Sequence, residues 1–134
     1  MDIQEITDKL LKTWLDFKEI NIAYLFGSHA TGETRKTSDI DIAIVAPELT
    51  LDGYMKLWAK VTNAFGTEKV DLVTLSDKSA SFRYEVVKEG MVIYYKDDDL
   101  LNDFELRSWQ EYMDFKHIRG IYRQHLYEGL SHGV

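Results

Sequence analysis

The sequence predicts an α/β fold of the α+β kind, a mixed β-sheet of about four strands flanked by helices. Short apolar segments that end at glycine or proline are typical of strands, whereas longer segments with apolar residues every three or four positions are typical of helices. The two kinds alternate along the 134 residues in the order α-β-turn-β-α-β-α-β-α. This order predicts a sheet covered by helices and a long C-terminal helix. The length suits a single domain, residues 1–134.

The first half of the chain supplies a helix and two strands. An amphipathic helix is predicted over residues 2–19 from apolar side chains at near-helical spacing, namely Ile3, Ile6, Leu10, Leu11, Trp14, Leu15 and Phe17. Asn21 to Phe26 is a short apolar run that ends at Gly27, so we expect a buried strand there. Asp39 to Ala46 alternates strictly, with both aspartates on one face and three isoleucines on the other. Pro47 ends this second strand.

The second half supplies two strands and three helices. Leu51 to Phe65 is predicted to be a helix from the stripe Leu51, Met55, Trp58, Val61 or Thr62, and Phe65, followed by Gly66. Lys69 to Leu75 is rich in β-forming residues and predicts the third strand, and Met91 to Tyr95 predicts the fourth. Residues 79–89 and the segment from Asp97 to about Gly129 are predicted to be helical.

Composition and charge exclude several classes of function. The chain has no cysteine, which excludes disulfides, thiol nucleophiles and cysteine metal sites. A net charge of −7 argues against direct nucleic-acid binding, because phosphate binding needs a clustered positive face. The sequence shows neither a signal peptide nor an apolar run long enough to span a bilayer. We therefore expect a cytoplasmic protein without membrane contact.

The segment that indicates chemistry begins at Gly27-Ser28, directly after the first predicted strand. Glycine has no Cβ, so a phosphate can approach its backbone closely. Ser28 carries a hydroxyl that can donate to an anion, and backbone N–H groups at a helix start bind anions as well. This turn is a candidate seat for the phosphates of a nucleotide. Taken without its surroundings, Gly27-Ser28 favours an ordinary strand-ending turn, and it is the aspartates in register that favour phosphate binding.

Two aspartates follow ten residues later. Asp39 and Asp41 lie two apart on one predicted strand, so their side chains project from the same face. Two carboxylates this close repel each other unless a cation lies between them. Mg²⁺ is the cation that prefers oxygen ligands and phosphates, and two metal ions can stabilise both oxygens of an in-line displacement.

Asp71 is the third candidate acid. It interrupts the apolar run Val70 to Val73 and completes an acidic triad if its strand pairs beside the one that carries Asp41. There it would bind the metal and accept the proton of an incoming hydroxyl. A strand carboxylate that faces water is the alternative interpretation of Asp71.

Together these motifs resemble those of the DNA polymerase beta-like nucleotidyltransferase superfamily. The resemblance rests on Gly27-Ser28, a ten-residue spacing, Asp39-Ile40-Asp41 and the later acid Asp71. The flanking segments, Tyr24 to Ser28 and Ser38 to Ile42, are similar to the minimal single-domain branch. That branch includes antitoxins encoded beside a helical ribonuclease toxin of the HEPN class. The resemblance is densest over residues 22–75.

The resemblance implies both an activity and a partner. It implies a nucleotidyltransferase fold, ATP as the donor, two Mg²⁺ ions, and transfer of AMP to a tyrosine hydroxyl of a cognate HEPN toxin. It also implies the site residues: Asp39, Asp41 and Asp71 for catalysis and metal binding, and Gly27, Ser28 and Ser38 for nucleotide binding. The chain departs from the family at Thr31, where members often carry a basic or amide residue. Arg35 or Lys36 is the nearby candidate for that phosphate contact.

Two other functions remain compatible with the sequence. The chain could neutralise a toxin by contact alone, with any nucleotide site secondary. Alternatively, it could transfer a nucleotide to a small-molecule hydroxyl such as that of an aminoglycoside. Relatives of the second kind usually have an extra substrate-binding domain, which 134 residues do not accommodate.

Several further residues are of types found in functional sites, but the sequence favours a structural role for them. The four histidines lack the spacing of a zinc pair on one helix face. Arg119 and His125 superficially resemble the ribonuclease signature of HEPN proteins, but that fold is wholly helical. Asp97 to Asp99 suits a solvated helix start, where negative charge meets the helix dipole. The C-terminal helix has more apolar residues than one narrow stripe holds, so the excess either packs in the core or forms a partner surface.

Overall fold

The computed structural model describes residues 3–27 and 40–131. Within these ranges the helices are α1 (Ile3–Asp16), α2 (Leu51–Phe65), α3 (Ala80–Glu89) and α4 (Asp98–Ser131). The strands are β1 (Ile22–Phe26), β2 (Ile40–Val45), β3 (Val70–Thr74) and β4 (Met91–Tyr95), and a 3-10 turn, Leu75–Asp77, follows β3. The predicted order of elements is confirmed.

The strands form one mixed sheet in the order β3-β2-β1-β4. β1 pairs antiparallel with both β2 and β4. β2 and β3 are parallel, because the chain crosses over through α2 before it enters β3. The predicted fold class, a four-stranded mixed sheet with flanking helices, is therefore confirmed.

Helices cover both faces of the sheet. α1 and α2 bury one face, and their contacts centre on fully buried Leu10, Trp14 and Leu57. α3 and the first part of α4 cover the other face, where Tyr24 of β1 and Val86 of α3 lie. The alternation of β2 follows from this arrangement, since its isoleucines face α1 and α2 while alternate residues face α3.

Two local interactions fix where the crossover helix begins and ends. The Thr50 side chain accepts a hydrogen bond from the Gly53 backbone N–H at 3.0 Å, which caps the first turn of α2. Gly66 ends the helix in the left-handed region at φ +68°, as the sequence predicted for this position. These caps set the length of the crossover that makes β3 parallel to β2.

Two details of the predicted helices were wrong. α1 ends at Asp16, not at residue 19, and Leu11 and Leu15 are exposed rather than buried. In α2 the predicted stripe included Leu51 and Met55, which are 76% and 63% exposed. The buried face is rotated from that stripe, because the sheet packs against the residues Tyr54, Leu57, Trp58 and Val61. An apolar residue on a helix does not by itself fix which side meets the sheet.

α4 is long, and only its first part packs on the sheet. Ser108 is fully buried, and Phe104 packs against the ring of Tyr24 with centroids 6.3 Å apart. Every residue from 114 to 129 is exposed. In the described ranges, no helix combines the length and apolar character that crossing a membrane requires.

Candidate active site

Two carboxylates lie side by side at one end of the sheet. Asp41 is the second residue of β2 and Asp71 the second of β3, and their Cα atoms are register partners across the parallel pair. Partners on neighbouring strands are about 4.8 Å apart and project from the same face. That face also carries Ala43, so it is the side covered by α3. Asp41 is half-buried, whereas Asp71 is exposed on the outer strand.

The turn after β1 lies directly over one of these carboxylates. Gly27 has φ +75°, a conformation that favours glycine. A Cβ built on Gly27 would contact the Asp41 carboxylate oxygen and lie 3.2 Å from its Cγ. The register explains the proximity, since Phe26, the residue before Gly27, is the Cα partner of Asp41. Gly27 is therefore needed both for its backbone angle and for the space above Asp41.

Several predicted site residues lie outside the described residues. They belong to the stretch 28–39: Ser28, Ser38 and Asp39, together with His29, Thr31, Arg35 and Lys36. Of the predicted set, the structure brings together Gly27, Asp41 and Asp71. Their catalytic and binding roles remain predictions.

The donor types at this end of the sheet fit a hard divalent cation. Asp41 and Asp71 offer oxygen ligands, which Mg²⁺ prefers, and a cation relieves the repulsion between adjacent carboxylates. Among residues 3–27 and 40–131 no group of three acidic or histidine side chains is placed to hold a metal ion. A third carboxylate ligand would have to come from beyond these ranges, and the sequence offers Asp39.

A tyrosine that the sequence did not single out packs on the opposite face of the sheet, near Asp71. The Tyr54 hydroxyl of α2 donates a hydrogen bond to the Leu72 carbonyl oxygen, at 2.5 Å, next to Asp71 in the chain. Burial raises the pKa of Tyr54, and the charge of Asp71 raises it further. The phenol therefore stays protonated and ties α2 to the strand that carries Asp71. In the sequence, the inward position of Tyr54 is indicated by its spacing from Leu57 and Val61, which follow at intervals of three and four residues.

The motif, the sheet order and the paired acids agree with a comparison to known families. The family model for the polymerase beta nucleotidyltransferase domain matches residues 8–99, which include all four strands. The chain belongs to this nucleotidyltransferase family. The match extends from within α1 to the start of α4, so it covers both described acids and the glycine turn.

Named relatives and solved structures are similar over most of this nucleotidyltransferase. The protein adenylyltransferase MntA of Shewanella oneidensis is 35% identical over 98 residues, 69% of each chain. A crystal structure of a toxin-antitoxin with AMP-PNP has a TM-score of 0.73 at 27% identity, covering 90% of this chain and 97% of the other. The MNT antitoxin in complex with tri-AMPylated Shewanella oneidensis HEPN toxin has a TM-score of 0.69 at 25% identity, covering 92% and 98%.

The remaining candidate residues of this nucleotidyltransferase have structural explanations. Asp97 caps α4, since its side chain accepts a hydrogen bond from the Leu100 N–H at 3.0 Å. Arg119 and His125 both lie in the exposed part of α4, far along the helix from its contacts with the sheet. The interpretation of Asp97 as a helix-start residue, made from the sequence, agrees with this geometry.

Proposed function

We propose that this nucleotidyltransferase is a Mg²⁺-dependent protein adenylyltransferase that acts as an antitoxin. In this proposal it moves AMP from ATP to a tyrosine hydroxyl of a cognate HEPN toxin and so neutralises it. The observation that carries the proposal is the pairing of Asp41 with Asp71 beneath the Gly27 turn, in a chain of this family. Similarity to MntA and to toxin complexes supports the choice of acceptor. A cytoplasmic setting is part of the proposal, because the reaction consumes ATP.

Each site residue has a separate role in the proposed reaction. Gly27 leaves room for the triphosphate to lie against the turn, close to Asp41. Asp41 and Asp71, with Asp39, would hold Mg²⁺, which when bound neutralises charge on the phosphate oxygens. The acceptor oxygen forms a bond to the α-phosphorus as the bond to the bridging oxygen breaks and pyrophosphate leaves.

Asp71 is the best placed group for the acceptor proton. It is exposed on β3, the terminal strand of the sheet, so a side chain presented by a second protein can reach it. Asp41 is half-buried between β1 and β3, under the glycine turn, which suits the phosphate side of the site. We assign the hydroxyl proton to the Asp71 carboxylate, so that the tyrosine oxygen attacks as it loses that proton.

The experiment is mass spectrometry of the toxin after co-expression or incubation with the chain, ATP and Mg²⁺. We expect a mass gain of one or more AMP units. Replacing Asp39 and Asp41 together with asparagine should abolish the gain, whereas Asp8→Asn, an exposed change on α1, should leave it intact. Protection from the toxin by the double variant would instead favour neutralisation by contact. Transfer to an aminoglycoside but not to the toxin would favour the small-molecule alternative.

A further inference from the structure

The exposed part of α4, residues 114–129, continues the face by which the helix packs on the sheet. We refer to it as the distal segment. The packed face includes Phe104, Ser108 and Tyr112, which stacks on Tyr84 of α3 at 4.4 Å. At spacings of three and four residues the same stripe continues through Phe115, Ile118, Tyr122 and Leu126. The side chains of these four are 43%, 65%, 63% and 51% exposed.

Such a stripe is unfavourable in water unless something covers it. The distal segment extends about 24 Å, at 1.5 Å per residue. A helix of this length is marginal by itself, and helices in proteins gain most of their stability from packing an apolar face. Gly120 weakens the segment further, because glycine has a low helix propensity. Contiguous exposed apolar residues of this kind mark interaction surfaces.

The charges of the segment indicate what kind of surface covers it. The distal segment has an acidic residue near each end, Asp114 and Glu128, and between them it carries Lys116, Arg119 and Arg123 and no acid, although the whole chain has a net charge of −7. At 100° per residue the three cations follow one side of the stripe. Arg119 lies over the Phe115 ring, with its guanidinium carbon 5.6 Å from the centroid. A surface with an apolar centre and acidic side chains along one border would complement it.

A second copy of the chain does not meet this requirement. If two distal segments paired in parallel, both sheet domains would occupy the same space between the helices, because each lies on the stripe side of its α4. Antiparallel pairing avoids that collision. If the two segments are centred on Ile121, Arg119 of each copy lies opposite Arg123 of the other, and like charges in such positions are destabilising.

We propose that the distal segment of α4 is the docking element for the acceptor protein, the toxin of the proposed function, on which this inference rests. The toxin would provide an apolar groove bordered by acidic side chains. Docking along α4 holds the acceptor on the chain without touching the reacting atoms, so its loss raises the concentration of toxin needed for half-maximal rate. The rate at saturating toxin should not change.

A matched pair of variants tests the inference. Tyr122 lies on the stripe and is 63% exposed. His117 is also exposed and lies about 140° away from Tyr122 around the helix, on the side away from the three cations. The probe is the cognate HEPN toxin of the proposed function. By titration calorimetry with the whole chain, Tyr122→Asp should weaken toxin binding by about tenfold or more, whereas His117→Asp should change it less than about twofold. The same Tyr122→Asp change should raise KM for toxin in AMP transfer and leave kcat unaltered.

A charge variant adds a second measurement. Arg119→Glu with Arg123→Glu should weaken toxin binding and remove most of its salt dependence, whereas Lys9→Glu with Lys12→Glu on α1 should leave binding unchanged. Circular dichroism of each variant checks that the helices remain, which is expected since all these side chains are exposed.

The outcomes separate this inference from the proposed function. Transfer of AMP with toxin binding unaffected by Tyr122→Asp would overturn the docking assignment and leave the activity in place. Toxin binding that is lost in Tyr122→Asp, without any AMP transfer by the unaltered chain, would support docking and overturn the activity. Two other outcomes would also overturn the docking assignment. One is binding of RNA, instead of toxin, by the distal segment. The other is a dimer of the chain, seen by sedimentation, that Tyr122→Asp dissociates while toxin binding persists.

Discussion

Asp41 and Asp71 are Cα partners on adjacent parallel strands, and one of the two is open to solvent while the other lies under a glycine turn. Their proximity is a consequence of connectivity. Because α2 returns the chain to the same end of the sheet, the second residues of β2 and β3 come together. Two negative charges about 4.8 Å apart at the backbone are unfavourable without a cation.

The first prediction concerns that cation. We expect Mg²⁺ to raise the melting temperature of the chain, because the ion binds the folded state and relieves repulsion between the acids. Asp41→Asn should lose most of this Mg²⁺-dependent shift and abolish AMP transfer. Thermal unfolding with Mg²⁺ and with a chelator measures the Mg²⁺-dependent shift. An equal Mg²⁺ shift in the variant would argue against a cation at this pair.

The second prediction concerns the glycine turn. Gly27→Ala should abolish transfer, because its Cβ would occupy the space of the Asp41 carboxylate. Gly66→Ala is the matched control: the φ of Gly66, +68°, is almost the same as the +75° of Gly27, but in the described part of the chain no atom lies within 4 Å of the added Cβ. Both changes should lower the free energy of unfolding by about 1–2 kcal/mol from the left-handed backbone. Only Gly27→Ala should lose activity. Denaturant unfolding with an AMP-transfer assay separates the two effects.

The third prediction uses two tyrosines with opposite expected effects. Tyr24 is buried and its hydroxyl has no hydrogen-bond partner among residues 3–27 and 40–131, so Tyr24→Phe should raise the free energy of unfolding by up to about 1 kcal/mol at neutral pH. Tyr54 donates to the Leu72 carbonyl, so Tyr54→Phe should lower it by about 1 kcal/mol. Urea unfolding near pH 7 measures both changes. Destabilisation by Tyr24→Phe would indicate a partner for its hydroxyl.

The fourth prediction concerns alkaline pH. Burial, with a smaller effect of Glu105, raises the pKa of Tyr24 above its ordinary value, and burial with the charge of Asp71 raises the pKa of Tyr54. Above about pH 10 the unfolded chain loses phenol protons that the folded chain keeps, so the free energy of unfolding falls as pH rises. The stabilisation is complete below that pH. The slope should reach at most about 1.4 kcal/mol per pH unit for one phenol.

Unfolding in urea between pH 9 and 11.5 tests this slope. Tyr24→Phe should make the alkaline fall shallower, because one of the two protons is no longer released on unfolding. A slope that is the same in this variant and in the unaltered chain would show that Tyr24 ionises equally in both states.

The fifth prediction concerns the interior glycine of the distal segment. Gly120→Ala should increase the helix content of α4 and stabilise it by about 0.5–1 kcal/mol, since among the described residues no atom outside the neighbouring helix backbone lies within 4 Å of the new methyl group. It should leave AMP transfer unchanged or lower KM for toxin, because the docking helix is better formed before it binds. Hydrogen exchange of the amides from 114 to 129 reports the local effect. Slower exchange is the expected result, and faster exchange would contradict it.

The sheet and the acidic pair were predictable because strand periodicity is strict. One residue of slip moves every side chain to the other face, so Asp41 within Ile40 to Ile44 had a defined direction. The position of Asp71 required one further inference, namely that its strand lies parallel and adjacent to the strand of Asp41. The helix predicted between these two strands supports that inference. The single-domain assignment and the roles of Ser28, Ser38 and Asp39 stay predictions.

The buried faces of the helices were harder to predict, because each helix has more apolar residues than one of its faces can bury. Leu51 and Met55 fit a stripe as well as Tyr54 and Leu57 do, and only the position of the sheet decides between them. In α4 the stripe is regular to the end, so its period gives no sign of where the sheet stops. The contact of Gly27 with Asp41 depends on the pairing of Phe26 with Asp41, which no local pattern contains.

The position of β1 at the centre of the sheet also bears on the order of folding. Ile22 pairs with Val45 on one side, close in the chain, and with Tyr95 on the other, much farther along. Contacts between distant residues form later because closing the longer loop costs more entropy. During synthesis, β1 with its glycine turn, β2 and β3 emerge from the ribosome before β4 does, because they precede it in the chain. We therefore expect this edge to be assembled while α4 is still being translated.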